Sequence, residues 1–292
     1  MSGILPQLLF SGLAIGCIYG LVGLGFIQVY NAVGLTNFAQ GEFVMLGAYL
    51  FVSAVVIWKA PFWVGFLFLL VGMAVIGFLF TRGVYKPTYK AGRFAFLLAS
   101  VGLSMALQDL VVLIWGPVPL YMPRLVSESS FNIGNVFINP QHIIIIGSTI
   151  LLLIIQYLIF QKTPLGKMMR ATAQDQFAAT LSGIKVPLMI IFTFVNSSIL
   201  AGIAGFLVGP VFSVTPSMGA SAMLKGFVGC TIGGWGSIPG AVLGGILVGI
   251  IEIFSSFYIS SAYKDAIVFL VLILFLLFKP KGIFGETVSE KV

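Results

Sequence analysis

Predominantly apolar stretches of one recurring length run along the whole chain, and that length, about twenty residues, is what a helix needs to cross a bilayer. They lie near residues 5–30, 38–57, 62–81, 94–115, 141–160, 187–209, 240–258 and 262–278. A ninth, 217–235, is less apolar, with Lys225 and five glycines. The runs are apolar on every side and do not alternate with a period of two, as a membrane barrel requires. They predict an all-α, polytopic helical bundle of about eight to nine membrane segments, forming one transmembrane domain over residues 1–292. Charged residues are only 8% of the chain, against about a quarter of an ordinary soluble domain. So few charges cannot cover a soluble surface, and 59% hydrophobic content is the opposite of disorder. Soluble enzymes, nucleic-acid binders and disulfide scaffolds are set aside, and the bilayer itself is the first partner. Cys17 and Cys230 lie far apart in apolar runs without metal-ligand spacing, and read as small buried hydrophobes. No Lys or Arg precedes Lys59, so the first segment is expected to be a retained span and not a cleaved signal.

Basic residues mark the cytoplasmic side. Arg82, Lys86, Lys90 and Arg93 cluster in an 82–93 loop; Lys162, Lys167, Arg170 and Lys185, against Asp175 alone, occupy a 162–186 loop; Lys279, Lys281 and Lys291 follow the last span. The stretch 116–140, with a single Arg124/Glu128 pair, is then outside. An even number of crossings must separate residues 186 and 279, which counts 217–235 as membrane-crossing. Three spans before residue 82 put the N-terminus outside, unless a break near residues 31–41 makes the second segment a half-helix and changes the parity.

Two places interrupt the apolar pattern, near 31–41 and 229–240. In the first, Asn37 followed by Gln40, Gly41 and Glu42 reads as an N-cap with a capping-box partner. In the second, Ser237 is a good N-cap and Pro239 falls in the first turn. Each leads into small-residue helix, Gly47-Ala48 in one case and Gly240 onward in the other, which lets backbones pack closely. One interruption in each half points to a transporter whose pathway runs at broken helices; the alternative is a pair of ordinary turns, where Gly, Asn and Pro are also common. On the pathway reading, two helix N-termini face the carboxylate of a zwitterion and Glu42 attends its ammonium. Leucine at Gly41 or Gly240 should then block transport and leave assembly intact.

Charges inside spans are expensive and usually face protein or water. Glu42 sits where a helix dipole favours an anion, and Asp109 lies toward one end of its span. Lys225 and Glu252 read either as a structural ion pair or as pathway residues, with Lys264 and Asp265 at an interface. His142 reads as an interfacial residue at a helix start. Residues 163–187 are helix-forming, with Ala171 and the Ala178/Ala179 pair about two turns apart and Gly183 suited to a C-terminal cap. A helix over 166–183 needs a surface for its stripe, either lipid headgroups or a protein groove, which its small-residue face favours.

Four motifs in order, residues 37–42, the Arg170…Asp175…Ala178-Ala179…Gly183 segment, residues 233–241 and the terminal residues 280–285, resemble the permease subunit of bacterial branched-chain amino acid ABC importers. The resemblance covers nearly the whole chain. It implies an inner-membrane subunit moving hydrophobic amino acids inward, with a homologous second permease, two cytosolic ATPases that use the ATP, and an extracytoplasmic binding protein. On it, Gly166, Arg170, Ala171, Asp175, Ala178, Ala179 and Gly183 form the ATPase-coupling segment. Asn37, Gln40, Gly41, Glu42, Ser237, Pro239 and Gly240, with Lys225 and Glu252, line the substrate path. Gln40 stands where many members have His, which leaves related permeases for urea, short amides or other amino acids as the alternative. The sequence holds no cofactor motif and no phosphate loop, since Gly166-Lys167-Met168 lacks both the leading Gly and the hydroxyl. A stand-alone secondary transporter remains a further alternative, for which only Glu42, Asp109 and Glu252 are available as ion-coupling carboxylates; a membrane enzyme would need a convergent ligand set, which a lone His142 with scattered acids does not supply.

Overall fold

The computed structural model describes residues 4–123, 131–133 and 136–284, with nothing taken from side chains between 131 and 138. Arg124, Glu128, Gly285 and Lys291 lie outside the described residues. Each of the nine apolar stretches holds one helix. In chain order the elements are α1 (Ile4–Val33), α2 (Gln40–Val52) extended by a π turn (Ser53–Ile57), and α3 (Phe62–Phe80) extended by a second π turn (Thr81–Tyr85) into α4 (Lys86–Tyr89). There follow α5 (Arg93–Trp115), an antiparallel hairpin of β1 (Phe131–Ile133) and β2 (Val136–Ile138), and α6 (Pro140–Lys162). Then come α7 (Pro164–Gln174), α8 (Gln176–Leu181), α9 (Val186–Phe212), α10 (Met218–Gly233), α11 (Ile238–Tyr258) and α12 (Lys264–Phe278). Among the described residues seven helical stretches are long and apolar enough to cross a membrane. With 16 and 15 residues, α10 and α12 fall short of that, at about 24 and 22 Å by helical rise. Four helices lie between residues 186 and 279, two of them long and apolar enough to cross a membrane.

Two boundaries differ from the sequence expectation. The basic 82–93 region is mostly helix, because the backbone runs unbroken from Phe62 to Tyr89 and only residues 90–92 turn. Residues 229–233 belong to α10, so the second interruption shrinks to 234–237.

Two compact units emerge: Gln28–Pro123 with Ile150–Met223, and Met1–Ile27 with Arg124–Thr149 and Leu224–Val292. In the first, α2, α3 and α9 pack mutually against one another. Gly47 lies so close to Gly202 that a Cβ on it would overlap the partner backbone, and Gly205 meets the Val44 carbonyl the same way. Phe51, Phe62 and Phe206 fill the end of this interface with edge-to-face rings. In the second unit, Gly16 and Gly20 of α1 abut Gly249 and Gly245 of α11, above a core of Ile15, Tyr19, Val228, Ile232, Val248 and Val268. Lipid tails are as apolar as leucine, so burial alone gives helices little reason to associate, and close backbone contact through small residues supplies the attraction. The small-residue helices after the two interruptions therefore do what their composition predicts.

A methyl or larger group at these crossings must push two backbones apart. Gly47→Val should lower the thermal unfolding midpoint of the purified permease and cost at least the roughly 1–3 kcal/mol of an overpacked core. Gly102→Ala, on α5 with open space around its Cα, should not lower the midpoint, since alanine favours a helix interior over glycine.

Candidate functional site

The first interruption is a stretch of irregular backbone from Gly34 to Ala39. Phe38 N–H donates to the Ser100 hydroxyl (3.3 Å) and the Ser104 hydroxyl donates to Glu42 Oε1 (3.1 Å). Ser100 and Ser104 stand seven and eleven positions after Arg93, which starts α5, so about 10 and 17 Å along that helix. The irregular segment thus sits at membrane depth, where it is tolerated only inside protein or beside a cavity. The expected capping box does not form. The residue before α2 is Ala39, with no side-chain cap. Asn37 Oδ1 instead accepts from Ala39 N–H (3.0 Å), an Asx turn two residues early. Gln40 turns to α9, donating from Nε2 to the Ser197 carbonyl (3.3 Å) and accepting the Ser197 hydroxyl at Oε1 (3.1 Å). Burial decides this: both ends of the Gln40 amide need partners, and Ser197 offers both. Glu42 Oε2 and Asn37 Nδ2 are buried without a hydrogen-bond partner among the described residues. One is an acceptor and the other a donor.

At the second interruption the sequence expectation holds in detail. Ser237 caps α11, accepting from Gly240 N–H (3.1 Å), with Pro239 in the first turn. What sequence reasoning missed is the tail. Ile283 and Phe284 N–H donate to the carbonyls of Ile232 and Gly233, both at 2.9 Å, so the 280–285 motif finishes the C-terminus of α10. The only signal for it was that both segments are glycine-rich motifs. Neither Gly41 nor Gly240 has room for a side chain: a Cβ on the first would strike the Gly219 carbonyl and Met223, and on the second the Gly233 carbonyl. Leucine at either position is therefore expected to damage assembly as well as transport, contrary to the expectation drawn from sequence.

Lys225 and Glu252 do pair, within a larger neutral network. Lys225 Nζ bonds Glu252 Oε1 and also lies 3.0 Å from Asp265 Oδ1, while Lys264 Nζ lies 3.0 Å from Glu252 Oε1. Tyr19 hydroxyl donates to Glu252 Oε2 at 2.7 Å. Two cations and two carboxylates join α1, α10, α11 and α12. A second polar clamp was invisible in sequence: the amides of Gln28, Gln156 and Asn196, on α1, α6 and α9, bond one another at 2.8–3.2 Å. Asp109 is exposed on α5. His142 lies in the first turn of α6, 3.5 Å from the Ser11 hydroxyl. Among the described residues no three His, Cys, Asp or Glu side chains gather as a metal site would require.

The 162–186 segment is two helices, where the sequence suggested one. Asp175 is extended (φ −158°, ψ 109°) and caps α8 by accepting from Phe177 and Ala178 N–H at 2.8 and 3.0 Å. Thr163 caps α7 from the Gly166 N–H (3.1 Å). Arg170 donates to the Phe160 carbonyl (2.7 Å), closing the end of α6. Gly183, at φ +81°, ends α8 in a Schellman turn: Ile184 N–H reaches the Ala179 carbonyl and Gly183 N–H the Thr180 carbonyl, both at 3.0 Å. The break at Asp175 rotates the faces. Ala179 is 3% exposed and packs on its own chain, Ala171 is half-buried and Ala178 open. The exposed apolar pair of α8 is Phe177 and Leu181, 74% and 75% exposed.

A multi-helix membrane body with irregular backbone inside it and an α7–α8 helix pair between two spans is the architecture of a transport subunit. A model of the family described as the permease component of branched-chain amino acid transport systems matches residues 8–276, and this chain belongs to that family. It is a multi-pass inner-membrane protein. The high-affinity branched-chain amino acid transport system permease proteins LivH of Salmonella typhimurium and of Escherichia coli are each 34% identical over 300 residues, covering 98% of this chain and 97% of theirs. The corresponding protein BraD of Pseudomonas aeruginosa is 34% identical over 301 residues, with the same coverage. Among solved structures, PsaBC of Streptococcus pneumoniae in complex with a Fab aligns at 16% identity and TM-score 0.49, over 94% of this chain and 90% of that one.

The charge network gives a graded expectation. The Glu252 side chain is 2% exposed and that of Asp265 53%. Glu252→Gln leaves two lysines against one exposed acid, and should cost about 3–5 kcal/mol; Asp265→Asn should cost about 0–1. Exchanging the pair, Lys225→Glu with Glu252→Lys, sets like charges against Asp265 and Lys264, so it should recover little. Thermal unfolding in detergent ranks the three variants.

Proposed function

We propose that this chain is the membrane subunit of an ATP-driven importer of branched-chain amino acids, acting as a transporter and not as an enzyme. Its partners on this reading are a homologous second permease, two cytosolic ATPases that consume the ATP, and an extracytoplasmic binding protein; the chain itself carries no cofactor. Family membership over nearly the whole length carries the reading. Within it, Asn37, Gln40, Gly41 and Glu42 form the substrate-facing part of the path. The support is chemical: a buried carboxylate oxygen and a buried amide N–H left without partners are costly unless something completes them, and an amino acid brings an ammonium and a carboxylate. Gln40 and Gly41 hold that segment against α9 and the start of α10. Ser237, Pro239, Gly240, Lys225 and Glu252 belong to the frame of the path, since their polar groups are already engaged within their own unit. ATP-dependent leucine uptake into vesicles holding all subunits is the test. Glu42→Gln keeps the Ser104 bond and removes the charge; uptake should fall at least about tenfold, the effect of one charge-assisted contact, with the ATPases still co-purifying. Wild-type uptake in that variant would remove Glu42 from the path, and transport of urea or a short amide in place of leucine would overturn the substrate.

Coupling to the ATPases is assigned to residues 166–183. Gly166, Arg170 and Asp175 shape the helix pair, Ala171 and Ala179 seat it on its own chain, and Gly183 ends it. Phe177, Ala178 and Leu181 offer the face to the partner. Phe177→Ser with Leu181→Ser should release the ATPases from the tagged permease while leaving its unfolding midpoint unchanged, since both side chains are open to solvent. Ala179→Arg should instead destabilise the permease itself. Retention of both ATPases in the double variant would move the coupling surface elsewhere.

A further inference from the structure

The end of the α3–α4 helix carries a feature that transport, as described above, does not use. Thr81–Tyr85 is a π turn followed by α4 to Tyr89, with Lys90 as the cap residue (φ −74°, ψ −23°); single π turns inside long helices gather at functional sites. Four-residue spacing sets Arg82, Lys86 and Lys90 along one side of this helix with Tyr85 and Tyr89 beside them. With Gln176 of α8 and the apolar first turns of α9, they enclose a cavity of about 410 Å³, within the range of small-ligand sites. Among the described residues no acid pairs with any of the three cations. Asp175, adjacent in sequence to Gln176, directs its Oδ1 to the backbone of α8. Tyr89 hydroxyl donates to Gln176 Oε1 (3.3 Å). Tyr85 is only 5% exposed, and its hydroxyl has no hydrogen-bond partner among the described residues.

These features ask for a particular ligand. Three cations without an acid partner, of which Arg82 also lies over the Phe78 ring at 5.3 Å, and an unpartnered phenol call for an anion with several acceptor oxygens. The wall from α9 calls for hydrocarbon, and Leu188 on it is open to its surroundings. The cavity lies at the end of a 28-residue spanning stretch, on the side that the basic residues mark as cytoplasmic. We propose that it binds an anionic phospholipid of the inner leaflet, with the phosphodiester among Arg82, Lys86, Lys90 and the Tyr85 hydroxyl and the upper acyl chain along the first turns of α9. A zwitterionic headgroup would bring its own ammonium against the three cations, and a free phosphate would leave the apolar wall bare.

The full-length permease, purified in zwitterionic lipid and detergent, is titrated with short-chain phosphatidylglycerol, with phosphatidylcholine of equal chain length, and with glycerol phosphate. Binding is read as a rise in the unfolding midpoint. Phosphatidylglycerol should stabilise well below the concentration at which the other two act. Arg82→Gln, Lys86→Gln and Lys90→Gln together should weaken its binding about a hundredfold, roughly fivefold for each basic residue. Tyr85→Phe should weaken it about tenfold or more, the loss of one hydrogen bond to a charged group, without lowering the lipid-free midpoint; it carries the test with Lys86→Gln if the triple variant does not fold. Lys162→Gln, in the other basic region, should change nothing. Equal stabilisation by phosphatidylcholine, or by glycerol phosphate, would overturn the lipid assignment, the second in favour of a soluble anion. Undiminished binding in the variants would overturn the site. Displacement of bound phosphatidylglycerol on adding the ATPases would make the cavity a protein-docking face instead.

Discussion

Close contact between helix backbones is the condition that everything else in this protein needs. In lipid, apolar side chains gain little by leaving the membrane for one another, so a helix pair holds only if main chains come near enough for dispersion and weak C–H···O contacts to add up. Gly47 against Gly202 fixes α2 on α9, and that contact aims the N-terminus of α2, with Gln40, Gly41 and Glu42, at α5 and α9. Without it the irregular backbone at 34–39 would have neither Ser100 nor Ser197 to meet its polar groups. The same rule at Gly16, Gly20, Gly245 and Gly249 sets α1 against α11 closely enough for Tyr19 to reach Glu252.

The polar groups inside the bundle divide by how completely they are answered. The Lys225–Glu252–Lys264–Asp265 network is neutral, and its deepest acid also receives the Tyr19 hydroxyl. The three amides of Gln28, Gln156 and Asn196 answer one another. Both sets behave as frame, since low dielectric strengthens a completed network. Asn37 and Glu42 are built differently, each with one atom held by protein and the other left over. In an interior where unmet hydrogen bonds are costly, such atoms are where a passing polar molecule has the most to offer.

How much of this could be read from sequence depends on the range of the interaction involved. Helix number and position follow from segment length and apolarity, which are properties of single stretches. The Ser237 cap and the Gly183 terminus are equally local, and both are found where sequence puts them. Asn37 misled because its short side chain satisfies a backbone N–H two residues on as readily as it caps a helix, and only the position of α5 decides. The face of α8 misled for a related reason. A periodicity carried through Asp175 assumes a continuous helix, and one extended residue there shifts the phase, so that Ala179 turns inward and Phe177 and Leu181 outward. Lys225 and Glu252 announce themselves as charges in spans, but Tyr19, 233 positions from Glu252, gives no such notice.

The union of the 280–285 motif with α10 also orders events in time. The carbonyls of Ile232 and Gly233 are made some fifty residues before the N–H groups that complete them. At about 5–20 residues per second, a nascent chain holds an unfinished end of α10 for several seconds after Gly233 has been made. Water at the membrane edge must serve in the interval. These two hydrogen bonds therefore close well after the helix they finish has been made, and α10 is completed by a segment synthesised later than α11 and α12.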